Sequence, residues 1–209
     1  IANRSLLLCA CFAMLAAASH IEWRQGKGKR YPSIIYLGIA LLCGEAGISA
    51  MAFIAAWELR MQQGWASRIK ALALPLAIVV LWRLAYKNAG FGTDAAGLYT
   101  NPTGEPLLFG TYLAERIPIY MAAQWFQFPI DIYAALNAFE RLCLAGFCLF
   151  LMVLAIWRLF PTVKQHQTMQ FWALAMVFSI IPICAAMPME RLIFIPGISA
   201  AALLGLYLS

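Results

Sequence analysis

The chain has 209 residues, of which 64% are hydrophobic and 11% charged, with a formal net charge of +6. A soluble domain carries about 25% charged residues, so this composition excludes a water-soluble surface for most of the chain. The basic excess in such a chain points to anionic lipid headgroups rather than nucleic acid. Apolar residues come in runs of about 16 to 25, the length that spans a bilayer, and not in the alternating patterns of a soluble core.

A first span is predicted over about residues 5 to 20, closing in the polar stretch His20–Arg30, which holds four basic residues and one acid. A second runs from about Pro32 to Trp57, and a hairpin with Arg60, Gln62, Gln63, Gly64, Arg68 and Lys70 leads to a third over about 71 to 86. The 22–31 linker is the better cytoplasmic candidate by the positive-inside rule, but the hairpin carries three basic residues of its own, which leaves orientation open. Residues 87–106 are dense in Gly, Pro, Asn, Asp and Thr and read as a polar loop outside the hydrocarbon. The helix expected at 107–127 holds Glu115, Arg116 and Pro118 near its middle and aromatic residues toward its end, the pattern of an interfacial or re-entrant helix. A long run then extends to about Phe160, the linker Pro161–Thr168 follows, and two more spans are predicted, at about 169–187 and from Pro188 onward. An apolar start at Ile1 and a stop at Ser209 inside a spanning run lead us to expect a fragment of a longer protein.

Glu45 falls near the middle of the second predicted span, where an ionisable side chain costs several kcal/mol unless it faces protein or water. It is therefore expected to point into the bundle, either as a hydrogen-bonded carboxyl in a helix-packing seam or as a residue lining a substrate or proton path. The dipeptides Glu115-Arg116, Glu140-Arg141 and Glu190-Arg191 cannot pair internally, because neighbours on a helix point about 100° apart. Arg116, Arg141 and Arg191 are candidates either for an inter-helix ionic network or for holding a phosphate, which suits the guanidinium fork. The polar loop offers Asp94, Tyr99, Asn101 and Glu105 at one membrane surface. His20 and His166 end spans and have no carboxylate or second histidine at helical spacing. The six cysteines lie in apolar runs without a CxxC pair, so neither a metal site nor a disulfide is expected.

The segment from Tyr86 to Tyr99, with Asn101-Pro102, Glu105-Pro106 and Glu115-Arg116-Ile117-Pro118 after it, resembles a group of large, poorly characterised bacterial polytopic membrane proteins. His20-Ile21-Glu22-Trp23-Arg24 and Gly44-Glu45-Ala46-Gly47 look like the same group. Those proteins resemble the GT-C class of membrane glycosyltransferases, which move a sugar from a polyprenyl-phosphate carrier to an acceptor on the outer face of the membrane. In that class the catalytic carboxylate lies in a first external loop near the amino end, and this sequence contains no such loop. The resemblance implies that the present chain is a later part of the transmembrane scaffold, with Glu45 similar to the acidic residue such enzymes carry in a later helix.

The expectation is an all-α fold: a polytopic transmembrane helix bundle of about six spans plus one interfacial or re-entrant helix, in one transmembrane domain over residues 1–209. Candidate cavity or substrate-lining residues are Glu45, Asp94, Tyr99, Glu105, Arg116, Arg141 and Arg191, with no catalytic residue assigned, no metal and no cofactor. Expected partners are membrane lipids and a polyprenyl-phosphate-linked sugar, in a bacterial inner (plasma) membrane. The alternatives are a transporter or flippase, with Glu45 and Arg141 as coupling residues, and a non-catalytic membrane scaffold.

Overall fold

A backbone in lipid has no water to bond with, and helix satisfies its N–H and C=O groups within the segment. The computed structural model describes residues 2–60, 64–91, 100, 102 and 104–209, and every regular element among them is helical. The elements are α1 (Ala2–Arg24), α2 (Tyr31–Cys43), α3 (Ala50–Arg60), α4 (Trp65–Asn88), α5 (Pro106–Phe126), α6 (Ala138–Gln165), α7 (Gln167–Ile183) and α8 (Phe194–Leu208), with 3-10 turns at Glu45–Ser49, Ile130–Ala135 and Glu190–Ile193. Four stretches, Arg4–Arg24, Trp65–Asn88, Ala138–Gln165 and Glu190–Leu208, are long and apolar enough to cross a membrane, which points to a membrane protein. Two of the six predicted spans fold instead as shorter apolar helices, α2 and α7. The chain divides into two compact units, Ile1–Gly92 and Thr93–Ser209.

In the first unit α1 presents a buried seam of Cys9, Ala10, Ala13, Ala16, Ala17 and His20, spaced three or four residues apart along one face. Small side chains let a second backbone come close, and α2 packs there with Leu37, Ala40 and Leu41 buried. The two helices run antiparallel. Ser33 Oγ donates to Ala16 O at 2.9 Å near one end of the pair, and Cys9 Sγ lies 3.5 Å from Ala40 O and 3.7 Å from Gly44 O near the other.

The second predicted span is not one helix. It breaks at Gly44, whose φ of 155° and ψ of 171° belong to a region essentially reserved for glycine. After the 3-10 turn, α3 carries the chain back along α1, so that Glu58 meets His20 and Arg24. His20 lies 11 residues beyond Cys9 on α1, a rise of about 16 Å. The segment between residues 31 and 60 thus enters and leaves at the same end of α1 and forms a helical hairpin. Hydropathy alone misses this turn because Glu45 and Ser49 are too few to break the apolar run that Ala46 and Ile48 continue.

Both basic linkers consequently lie at one end of the unit. Arg24 of α1 bonds to Ser67 of α4, and Arg30, ahead of α2, donates to Lys70 O and Ala71 O at 3.0 and 3.2 Å. On α4, Leu74, Leu76, Val80, Leu81 and Leu84 stay exposed, as a lipid-facing helix requires.

In the second unit α5 packs against α6, α7 and α8. The helix expected at 107–127 forms as α5, with its first residues exposed and Ile119 to Ala123 buried in the core of this unit beside Ile130, Met176 and Ile180. The linker expected at Pro161–Thr168 is almost wholly helical. Helix α6 runs through Pro161 to Gln165, and only His166 separates it from α7. Asn137 starts α6 with a reciprocal cap: its side chain accepts from Glu140 N–H at 3.0 Å, and Glu140 Oε2 accepts from Asn137 N–H at 2.8 Å.

Gly47 is the tightest point of the hairpin turn, where an added Cβ would press on the Ala40 carbonyl and lie 2.7 Å from Leu41 N. Gly47→Ala is expected to destabilise the protein by about 1–3 kcal/mol through overpacking, read as a lower midpoint of thermal unfolding in detergent. An unchanged midpoint would count against the close packing of this turn.

Candidate functional site

Three places in the chain collect polar side chains. The first is the hairpin tip. Glu45 opens the 3-10 turn Glu45–Ser49 and is exposed, because the break at Gly44 turns the chain before a mid-helix position can face a seam. The expectation that Glu45 points into the bundle is corrected accordingly. Its carboxylate lies next to Gly44, which approaches Cys9 on the far side of α1 from His20.

The second place is the basic end of the first unit. Glu58, on the last turn of α3, is fully buried, as is His20 on α1. His20 Nε2 and Glu58 Oε1 share a hydrogen bond at 2.8 Å. Arg24 Nη2 donates to Glu58 Oε2 at 2.9 Å, and its Nε lies 2.7 Å from Oε1. One carboxylate therefore joins two positions of α1, with Ser67 of α4 tied in through Arg24 Nη1 at 3.3 Å. Beside this network opens a cavity of about 360 Å³, lined by Trp23, Arg24, Arg30, Ser67, Lys70 and Ala71. Two guanidinium groups lie near the Trp23 ring, Arg24 at 5.5 Å and Arg30 at 4.9 Å from its centroid.

The third place is in the second unit, around Tyr133. Its hydroxyl donates to Glu115 Oε1 at 2.7 Å, while the guanidinium groups of Arg141 and Arg116 lie 4.6 and 5.9 Å from its ring centroid. Burial pushes the Tyr133 hydroxyl above its usual range, and its bond to the Glu115 carboxylate adds to the shift. Arg116 is buried against the Tyr112 ring, and its Nη1 donates to Cys184 O and Ala186 O, each at 2.8 Å. It thereby satisfies carbonyls left over where α7 ends. The partners of Arg116 here are backbone carbonyls and aromatic rings rather than the carboxylates of an ionic network.

Of the residues singled out in the sequence, Glu115, Arg116 and Arg141 are brought together about Tyr133. Glu140 is a helix cap. Arg191 and Glu105 are exposed at the starts of the Glu190–Ile193 turn and of α5. Asp94 and Tyr99 lie outside the described residues. Sequence reasoning missed Glu58 and Tyr133, because their partners are 34 and 38 residues away in one case and 18 in the other. The signal available for Glu58 was an acid on the last turn of an apolar run, facing a stretch rich in arginine and lysine.

Among the described residues, no group of three His, Cys, Asp or Glu side chains could hold a metal ion. No family model, curated protein or solved structure matches the chain.

Removing the charge of Glu58 leaves Arg24 buried without its counter-ion. Glu58→Gln should cost about 3–5 kcal/mol of stability, whereas Glu22→Gln, at an exposed position of α1, should stay within about 0.5 kcal/mol. Thermal unfolding of both variants in one detergent checks the contrast, and equal effects would refute a network centred on Glu58.

Proposed function

We propose that the chain is the transmembrane part of a GT-C-like glycosyltransferase that takes a sugar from a polyprenyl-phosphate carrier at a bacterial inner membrane. The observation that carries this reading is Glu45, an exposed carboxylate at the tip of a helical hairpin. Arg24, Lys27, Lys29, Arg30, Arg60, Arg68 and Lys70 gather at the other end of that hairpin, while Arg4, Arg83 and Lys87 belong to the opposite half of the unit. By the positive-inside rule the richer end faces the cytoplasm. The tip then reaches toward the outer face, the side on which the GT-C class transfers sugar.

A carboxylate held there, where water is scarce, suits the withdrawal of a proton from an acceptor hydroxyl or the steadying of positive charge on the departing sugar. The essential carboxylate of the class belongs to an external loop near the amino end, so Glu45 is read as a substrate-lining group beside it. Arg116, spent on backbone carbonyls, plays no part in holding the carrier phosphate.

A transporter or flippase is the second reading, and the broken helix favours it. Helix breaks at membrane depth expose backbone dipoles where transporters bind ions and substrates.

The two readings separate in one reconstitution. The full-length protein in liposomes, supplied with radiolabelled polyprenyl-phosphate sugars, should transfer sugar, and Glu45→Gln should lower the rate by about a hundredfold or more without shifting the unfolding midpoint. Folded protein that transfers from no donor would sink the transferase reading. Movement of the labelled lipid between leaflets, abolished by the same substitution, would establish the second.

A further inference from the structure

The cavity beside Glu58 is built for an anion, and neither reading of the hairpin tip uses it. Its walls come from three segments: Trp23 and Arg24 close α1, Arg30 precedes α2, and Ser67, Lys70 and Ala71 lie on the first turns of α4. Three of these residues are cationic. Glu58 neutralises Arg24 through two short approaches. Arg30 donates from Nη2 only to carbonyl oxygens, and no carboxylate pairs with Arg30 or Lys70 among the described residues. Two positive charges are left uncompensated at the mouth of one cavity, and Ser67 adds a hydroxyl.

The surroundings narrow the kind of anion. The volume of about 360 Å³ stands at the lower end of the range of about 300–1,000 Å³ found for ligand pockets, enough for a phosphate ester with a small substituent. A guanidinium and an ammonium complement a phosphate of one to two negative charges, the guanidinium by its planar fork and the ammonium as a point charge. Trp23, with two arginines close to its ring, sits where α1 leaves its apolar run, the depth at which an indole rests at the membrane–water boundary. Basic pockets between membrane helices at this level take the headgroups of acidic lipids.

We infer that the cavity lined by Trp23, Arg24, Arg30, Ser67 and Lys70 binds a phosphate group at the membrane surface, supplied by the headgroup of an anionic phospholipid or by free phosphate in solution. The site is distinct from the hairpin tip and stands whether or not the chain transfers sugar. Arg24 has a double duty, holding Glu58 with one edge and facing the cavity with the other, so occupancy of the cavity stiffens the end that closes the hairpin. Lys70 is exposed and makes no bond to another side chain, so its charge is free for the ligand.

The test uses the full chain in dodecylmaltoside micelles, with the midpoint of thermal unfolding as readout. One arm adds phosphatidylglycerol against phosphatidylcholine, and the other adds inorganic phosphate against chloride at constant ionic strength. A saturable rise in the midpoint is expected, with half-saturation moved about tenfold higher by Lys70→Glu and left in place by Lys87→Glu, the same charge change at the far end of α4. A rise with phosphatidylglycerol alone identifies a lipid headgroup, and a rise with inorganic phosphate identifies the free anion as sufficient. Both outcomes support the site. No saturable rise in either arm, or an equal loss from Lys70→Glu and Lys87→Glu, overturns it. Lys70→Glu is required to match the wild-type midpoint without ligand, and Lys70→Gln serves as the milder variant should it fail to do so.

Discussion

The first unit depends on one buried carboxylate. Glu58 bonds to His20 and to Arg24, one turn apart on α1, and through Arg24 it reaches Ser67 at the start of α4. Without that anchor α3 would have nothing polar to return to, and the apolar segment after Gly44 would be as well satisfied by continuing across the bilayer. The energetic argument is one of asymmetry. A buried ion pair is weak evidence of net stability, but a buried acid with two basic partners at a single position along α1 is strong evidence of where α3 must end. Specificity of topology is what this pairing contributes.

Much of the helical content was legible from composition and run length, because lipid leaves a chain few options. The helices over 2–24, 65–88, 138–165 and 194–208 overlap the predicted runs, with some ends displaced by more than a turn. What stayed hidden was the direction of the chain between residues 31 and 60. Hydropathy averages over a window, and Glu45 and Ser49 are too few to lower the average of the apolar residues around them. The information for the turn lies in a backbone conformation at Gly44 and in the absence of a side chain at Gly47, neither of which alters a hydropathy average.

The candidate site was legible in part for the same reason. Charged residues inside apolar runs were easy to notice, and Glu115, Arg116 and Arg141 do meet, yet their common partner is the neutral Tyr133. Aromatic rings and backbone carbonyls are poor sequence signals because they are everywhere in such a chain. Arg116 shows the consequence: a residue type suited to phosphate is bound to two carbonyls, and only geometry could tell the two roles apart. Lys70 and Arg30, by contrast, looked like ordinary linker charges until the fold set them across one cavity.

The break at Gly44 also bears on how the protein is made. A ribosome-bound insertion channel meets residues 32 to 57 as a stretch greasy enough to be released sideways as a crossing segment, with the following domain delivered to the opposite compartment. The hairpin requires the reverse: the far arm must come home before α4 is threaded, or every later segment is inserted upside down. His20 and Arg24 are synthesised before Glu58 and wait near the membrane surface for it. The order of residues along the chain thus doubles as an order of assembly, in which the first helix is the receptor for the returning arm.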